Sequence, residues 1–142
     1  MAAGSCIFCE IASGERPARK VLEAPRAMAF LDAFPLVKGH TLVIPRAHAE
    51  RAEGLNPEDA GALFQAVSRV AAAVQRATGA PSTTLMVNNG VEAGQVVMHV
   101  HVHVVPRFAG DPWGNLHTMV RNRANLSPEE MEAVAASIRK RL

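Results

Sequence analysis

Two spacings of hydrophobic positions divide the chain into strand-like and helix-like segments. Runs rich in apolar and β-branched side chains, bounded by turn residues, predict strands at 19–23, 26–32, 40–45 and 83–87. Apolar residues then recur every three or four positions in 63–74, which is the spacing of one buried helix face. The pattern therefore predicts a fold that mixes several strands with one long helix.

The ends of two helices are marked by capping residues. Asn56 followed by Pro57 is typical of a helix start, and Gly79 is typical of its end. Ser127 opens a Ser-Pro-Glu-Glu capping box, which predicts an amphipathic helix that runs to Leu142. The sequence thus predicts a long central helix and a C-terminal one.

The strictest alternation lies in the segment 99–105, where histidines and valines take turns. Successive strand side chains point to opposite faces, so a strand would place all three imidazoles of this segment on one face. His99 and His103 would lie about 13 Å apart, with His101 between them. A single histidine on a strand is usually a solvated side chain, but three in alternation favour a functional site.

Composition describes an ordinary globular protein and excludes several functional classes. The chain has 142 residues, of which 49 % are hydrophobic and 20 % charged, and we expect a single domain over 1–142. A net charge of +2 gives no basic patch for nucleic acid. The sequence shows neither an apolar run long enough for a membrane span nor a signal-peptide pattern, so we expect a cytoplasmic protein.

Both cysteines belong to one C-x-x-C motif, Cys6 to Cys9, in a segment that can form one or two helical turns. A redox pair normally follows a strand, and only five residues precede Cys6. The thiols could also be small buried hydrophobic groups. The third interpretation, half of a zinc site, needs two further ligands, and the histidines make it the leading one.

Polar residues at strand ends add candidates for ligand binding. Asp32 closes an apolar strand, and on position alone it is equally a turn residue or a ligand-binding carboxylate. The loop 88–95 carries glycines whose backbone N–H groups suit an anion. Trp113 could line a site or lie elsewhere, and His117 is interpreted as a solvated loop histidine.

An imidazole on a strand can act as a nucleophile near neutral pH, and the sequence has no Walker A motif or carboxylate cluster for magnesium. Attack of His101 on phosphorus would give a phospho-imidazole that water can hydrolyse. Metal-assisted phosphoryl transfer is the less favoured alternative.

Taken together, these motifs resemble the histidine triad superfamily of nucleotide hydrolases and transferases. The resemblance covers nearly the whole chain and is strongest for Hint-like bacterial and archaeal members, with some Fhit-like features. The matching motifs are Cys6-Ile-Phe-Cys9, Phe30-Leu31-Asp32, Gly39-His40-Thr-Leu-Val-Ile-Pro45, Glu92-Ala-Gly-Gln95, the histidine segment and Pro106-Arg107.

The resemblance implies a role for each candidate site residue. His101 would attack the α-phosphorus and form a nucleotidyl-histidine, His103 would contact the phosphate, and His40 would complete the triad. The implied nucleotide-binding residues are Ile7, Phe8, Phe30 and Leu31 around the purine, Asp32 on the ribose, and Asn88 and Gln95 at the phosphates, with the backbone of Val96. The implied substrates are AMP or GMP carrying a further group, as in a phosphoramidate or a dinucleoside polyphosphate.

The resemblance also implies the fold, a metal and a partner. The fold would be α+β, an antiparallel sheet of about five strands with a long helix and a C-terminal helix. One structural zinc per chain would be bound by Cys6, Cys9, His48 and His99, with no catalytic metal. Two chains would pair as a homodimer through the long helix and a continuous sheet.

Val96 departs from the family pattern, which has serine or threonine at this position. The valine keeps its backbone N–H but supplies no hydroxyl to the phosphate or leaving group. An alternative function follows, in which the chain is a nucleotide-binding interaction module with weak catalysis.

Overall fold

The computed structural model describes residues 6–114 and 124–142. Two compact units are present, Met1–Ala109 and Gly110–Leu142, and each is described by itself. The single domain over 1–142 stays a prediction, and His117 lies outside the described residues.

The first unit is an α+β structure, as the sequence predicted. Its helices are α1 (Ile7–Ser13) and α2 (Pro57–Thr78), and two short 3-10 turns span Ala52–Gly54 and Val91–Ala93. Its strands are β1 (Lys20–Glu23), β2 (Ala27–Leu31), β3 (Thr41–Pro45), β4 (Ser82–Met86) and β5 (Val102–Arg107). The second unit contains α3 (Pro128–Arg139), which begins with the predicted capping box of Ser127 and Glu130.

All five strands form one antiparallel sheet in the order β1-β2-β3-β5-β4. The pairing of β3 with β5 fixes the position of His103, because Leu42 of β3 lies opposite His103 of β5. On the other side of β5, Met86 of β4 also faces His103. The histidine segment therefore leads into a strand that lies between two others, β3 and β4.

Both faces of the sheet are covered by apolar side chains, and the two-residue period decides which side each one packs on. Val43 and Val102 join a cluster with the buried stripe of α2. Phe30 and Leu42 join a second cluster with Phe8 of α1. The rings of His99 and His101 contact Phe8, so the histidines of the candidate site lie on this second side, with α1.

The predicted strand over 99–105 is only partly correct. Regular pairing begins at Val102, so His99 and His101 precede β5. Their segment is held instead by the loop after β3, where the Val100 N–H donates to the Ala49 carbonyl at 2.8 Å. The imidazoles of His99 and His101 nevertheless both contact the ring of Phe8.

The start of β3 is fixed by a glycine that no other residue could easily replace. Gly39 has φ +95°, and a Cβ there would lie 2.6 Å from Cγ2 of Thr78 at the end of α2. This close approach places His40 directly before the first residue of β3.

Among the residues that the structure describes, no helix is long and apolar enough to cross a membrane.

Candidate functional site

A cavity of about 710 Å³ opens on the α1 side of the sheet. Nine of the predicted site residues line it, namely Ile7, Phe8, Phe30, Leu31, Asp32, Asn88, Val96, His101 and His103. The aromatic and aliphatic members form one wall, and the two imidazoles, the carboxylate and the amide supply polar atoms. This arrangement suits a ligand with an apolar ring and an anionic group.

Two cations line the same cavity and were not predicted. Arg16 and Arg19 follow α1, and the Arg16 guanidinium donates to Glu10 at 2.7 Å. The signal that could have identified them is that three of the five residues in 16–20, shortly after the helix-ending Gly14, are basic. Their positive charges favour an anionic ligand.

His101 is oriented by the backbone of its own segment. It is only 7 % exposed, and its Nδ1 lies 2.8 Å from the carbonyl oxygen of His99. Because a carbonyl can only accept, Nδ1 carries the proton, and Nε2 of the neutral ring keeps a free lone pair. The ring therefore has the tautomer that a nitrogen nucleophile needs.

His40 lies beneath the cavity, at 2 % exposure, and contacts His103 rather than lining the cavity itself. His40 Nε2 and His103 Nδ1 are 2.9 Å apart. Burial lowers the pKa of His40, an effect that the Asp32 carboxylate opposes. Burial also lowers the pKa of His103 to about 4, helped by the neighbouring His101 and His40 and opposed by Asp32. Both rings are therefore neutral at pH 7.

Asp32 lies where β2 ends, beside these two rings. One carboxylate oxygen accepts the backbone N–H of Phe34 at 2.8 Å, and the other is 3.6 Å from His40 Nε2. Asp32, His40 and His103 also bring one donor atom each within 4.8 Å of one another. The short contact between the two imidazoles has the length of a hydrogen bond.

Gln95 is buried and does not line the cavity, unlike the other predicted nucleotide-binding residues. Its Nε2 donates to the carbonyls of Glu50 and Val97, and its Oε1 accepts the Gly90 N–H at 2.8 Å. These bonds occupy its amide and hold the loop that carries Asn88. The structure thus favours an indirect role for Gln95, and direct phosphate contact stays a prediction.

The four predicted metal ligands meet beside the cavity, at the start of α1. Their donor atoms, Sγ of Cys6 and Cys9 and Nδ1 of His48 and His99, all lie within 4.8 Å of one another. The sulfur-to-nitrogen distances are 3.3 Å and 3.5 Å. A tetrahedral zinc with ordinary bond lengths requires about 3.5 Å between sulfur and nitrogen ligands, so the cluster fits that ion.

The groups around the cluster set the tautomer and the protonation of its ligands. His99 donates from Nε2 to the Pro45 carbonyl at 2.9 Å, which leaves Nδ1 unprotonated toward the thiols. Burial lowers the pKa of His99, so the ring is neutral as a ligand must be. Burial and the adjacent Cys6 raise the pKa of Cys9 to about 11 without a metal, and a bound cation would reverse that shift.

A second groove, of about 690 Å³, lies between α2 and strands β1 to β3. Its described lining contains arginines but no histidine, cysteine or carboxylate. The chemistry-bearing residues therefore point to the histidine cavity.

The family is identified by comparison with known proteins. The profile of the HIT domain matches residues 13–110. The chain is 38 % identical to the Bacillus subtilis protein hit over 99 % of this chain and 96 % of that protein. It is 36 % identical to the Arabidopsis thaliana adenylylsulfatase HINT3 (92 % and 66 %) and 35 % identical to the Schizosaccharomyces pombe adenosine 5'-monophosphoramidase hnt1 (94 % and 96 %).

Solved structures agree with this fold. A HIT family protein from Bacillus subtilis superposes with a TM-score of 0.83 at 37 % identity, covering 96 % of each chain. A zinc-bound histidine triad family protein from Mycobacterium smegmatis has a TM-score of 0.75 at 30 % identity, covering 99 % of this chain and 100 % of that one. The chain belongs to the histidine triad (HIT) family of nucleotide-binding hydrolases.

Proposed function

We propose that this protein hydrolyses purine nucleotides that carry a further group on the α-phosphate, through a covalent nucleotidyl-histidine on His101. The observation that carries the proposal is the hydrogen bond from His101 Nδ1 to the His99 carbonyl, since it leaves Nε2 as a free nucleophile in the cavity. The names of the Arabidopsis and fission-yeast relatives, an adenylylsulfatase and a monophosphoramidase, support this reaction class.

Different lining residues would bind the base, the ribose and the phosphate of the nucleotide. The apolar wall of Ile7, Phe8, Phe30 and Leu31 would enclose the purine, and Asp32 would accept hydrogen bonds from the ribose hydroxyls. Asn88 and the backbone of Val96 would contact the phosphate. His103 would donate to a phosphate oxygen, with His40 fixing its orientation from below.

The reaction would proceed in two steps. His101 Nε2 forms a bond to the α-phosphorus, and the bond to the leaving group breaks with its electron pair. The cationic imidazole is stabilised because its proton stays on Nδ1 and remains hydrogen-bonded to the His99 carbonyl. Water then attacks the same phosphorus, and the phosphorus–Nε2 bond breaks with its electron pair returning to Nε2. The nucleotide leaves, one proton of the water passes to solvent, and the imidazole is neutral again.

The test is to trap the adduct. After rapid mixing with a substituted AMP and an alkaline quench, we expect mass spectrometry to find one nucleotidyl group on the peptide that contains His101. His101→Ala should lose both adduct and turnover while its urea denaturation matches the wild type. Full turnover in His101→Ala would refute the covalent mechanism.

A second candidate function is a nucleotide-binding module with weak catalysis. Val96 favours it, because this side chain is 89 % exposed at the cavity and supplies no hydroxyl. Calorimetric binding of AMP together with no detectable adduct or turnover on any substrate would support the module over the hydrolase.

We also propose one structural zinc per chain on Cys6, Cys9, His48 and His99. Two thiolates and two imidazoles are a complete tetrahedral set, so the ion would cross-link α1 to the histidine segment and leave no position for substrate. Elemental analysis of freshly purified protein should give one zinc per chain, and a metal-free protein with an unchanged melting temperature would contradict the assignment.

Finally, we propose that two chains form a homodimer across β4 and α2. In the described part of the chain, β4 is an edge strand with Leu85 47 % exposed, and Phe64 of α2 is 57 % exposed. Exposed apolar groups beside an open strand edge favour pairing with a second copy. Light scattering coupled to size-exclusion chromatography should give twice the monomer mass, and Leu85→Lys should shift it toward the monomer.

A further inference from the structure

Arg16 places a guanidinium at the rim of the cavity, on the side of the apolar wall. Its Nε donates to the Glu10 carboxylate at 2.7 Å. Glu10 comes three residues after Ile7 on α1, and residues at this spacing are neighbours on a helix surface. Because Arg16 and Ile7 both line the cavity, the guanidinium lies beside the wall that would enclose the purine. His101, which would meet the phosphate, contacts the helix at Phe8 instead.

The side chain of Arg16 is anchored while its terminal N–H groups stay available. The Arg16 backbone N–H donates to the Glu10 carbonyl at 3.1 Å, and the following Pro17 restricts the backbone of Arg16. Only Nε of the guanidinium bonds to Glu10, and within the described part of the chain neither Nη1 nor Nη2 has a partner. These two nitrogens form a planar fork of donors. The ligand edge that fits this fork carries two acceptors side by side.

The two purines differ at an edge of this kind. Guanine presents N7 and O6, which both accept, whereas adenine presents N7 as an acceptor and its 6-amino group as a donor. An arginine fork therefore makes two hydrogen bonds to guanine and meets a donor on adenine. The adenine amino group would need an acceptor. The only carboxylate among the described lining residues is Asp32, which lies beside His40 and is proposed for the ribose. The rim of the cavity thus complements a 6-oxopurine better than adenine.

We propose that Arg16 makes this site selective for nucleotides of the 6-oxopurines, guanine and hypoxanthine, over those of adenine. This inference rests on the proposed function, because it requires that the apolar wall encloses a purine. Nη1 and Nη2 of Arg16 would donate to O6 and N7 of the base, and Glu10 would be a positioning residue that orients the fork. The 2-amino group of guanine takes no part in this selection, so hypoxanthine should be accepted equally well.

Calorimetric binding of unsubstituted nucleotides tests the selectivity without any chemical step. We expect GMP and inosine 5'-monophosphate (IMP) to bind with equal affinity, and AMP to bind at least about 5-fold more weakly. A bidentate arginine discriminates between bases by about 5-fold to 100-fold, and the half-exposed side chain of Arg16 favours the lower value. Equal affinities for all three nucleotides, a preference for AMP, or a preference for GMP over IMP would overturn the inference. If none of the three binds, the proposed function itself fails.

A nucleotide analogue tests which edge of the base is bound. In 7-deaza-GMP a C–H group replaces N7, so one of the two acceptors is lost and O6 remains. This analogue should bind more weakly than GMP. Equal binding of the two would show that the fork does not contact this edge, and would overturn the inference.

Two matched variants assign the selectivity to Arg16. Arg16→Met and Arg19→Met each remove one guanidinium from the same cavity and keep a long unbranched side chain. Arg16→Met should bind GMP and AMP with equal affinity, chiefly because it binds GMP more weakly. Arg19→Met should keep the wild-type ratio of the two affinities, since the loss of its charge affects both anions alike. A wild-type ratio in Arg16→Met, or equal affinities in Arg19→Met, would refute the assignment.

The positioning role of Glu10 is tested by the same ratio of affinities. Glu10→Gln keeps an oxygen that can accept from Arg16 Nε and should retain the preference for GMP, whereas Glu10→Ala frees the guanidinium and should reduce the preference. A purely structural role of Glu10 would weaken the binding of both nucleotides alike. The same ratio in Glu10→Ala and Glu10→Gln would therefore contradict the anchoring of Arg16 by Glu10.

Discussion

Acidification should destabilise this protein because the folded chain holds His103 as a half-buried neutral ring. Its pKa is lowered from 6.5 to about 4, chiefly by burial and then by His101 and His40, while Asp32 acts in the opposite sense. The unfolded chain therefore binds a proton between these two values when the folded chain does not. The free energy of unfolding consequently falls as pH falls from about 6.5 toward 4, and is unaffected by His103 above pH 7.

The magnitude follows from the two pKa values. At pH 5 the unfolded ring is almost fully protonated and the folded one only about a tenth, which removes about 2 kcal/mol from the free energy of unfolding relative to pH 7.5. Below pH 4 the loss approaches about 3 kcal/mol. Either loss is a large share of the stability of a small domain.

Urea denaturation at pH 7.5 and pH 5, in a zinc-buffered solution, measures this effect. His103→Asn is the matched variant, since its amide oxygen can still accept from His40 Nε2. We expect the wild type to lose about 2 kcal/mol more than the variant between the two pH values. Equal losses in the two proteins would refute the lowered pKa of the half-buried His103 ring, and a wild type that gains stability on acidification would contradict the predicted sign.

Three further predictions address the fold and the metal cluster. Cys9→Ser should abolish binding of one zinc per chain, measured by elemental analysis, because the serine hydroxyl is a poor ligand in a site of thiolates and imidazoles. Gly39→Ala should cost about 1–3 kcal/mol of unfolding free energy more than Gly14→Ala, since both have positive φ but only the former Cβ meets Thr78. Asn56→Ala should cost about 1 kcal/mol by removing the α2 cap, measured by thermal denaturation, and an unchanged melting temperature would contradict the cap.

The local patterns of the sequence predicted most of the fold. The predicted strands and the Asn56-to-Gly79 helix agree with the observed elements to within about two residues. The exception is the histidine segment, whose first two imidazoles precede β5. The His-Val alternation persists there because Val100 still packs inward, but the backbone bonds to Ala49 rather than to a strand. The choice of Ala49 as the hydrogen-bond partner of Val100 depends on packing between segments far apart in the sequence. The alternation of hydrophobic and polar residues within one segment cannot predict it.

The site was predictable as a set of residue types but not as a set of protonation states. The motif resemblance named nine of the side chains that line the cavity, whereas Arg16 and Arg19 have no signature beyond their charge. The tautomer of His40 depends on the backbone N–H of Leu36, a group that every residue except proline would supply at that position. The side chains in the sequence therefore do not indicate which nitrogen of His40 carries the proton.

The departure of His99 from the sheet explains how one segment can serve both the proposed metal site and the proposed nucleophile. The bond from Val100 N–H to Ala49 carries the segment beside His48, so the rings of His48 and His99 lie 5.1 Å apart. Had β5 continued straight through 99, its backbone would have paired with β3 rather than with the loop that bears His48. The same residue then turns its carbonyl to His101. His99 thus connects the two proposed functions within one residue. Its ring faces the thiols, while its carbonyl accepts a hydrogen bond from Nδ1–H of the imidazole that we propose as the nucleophile.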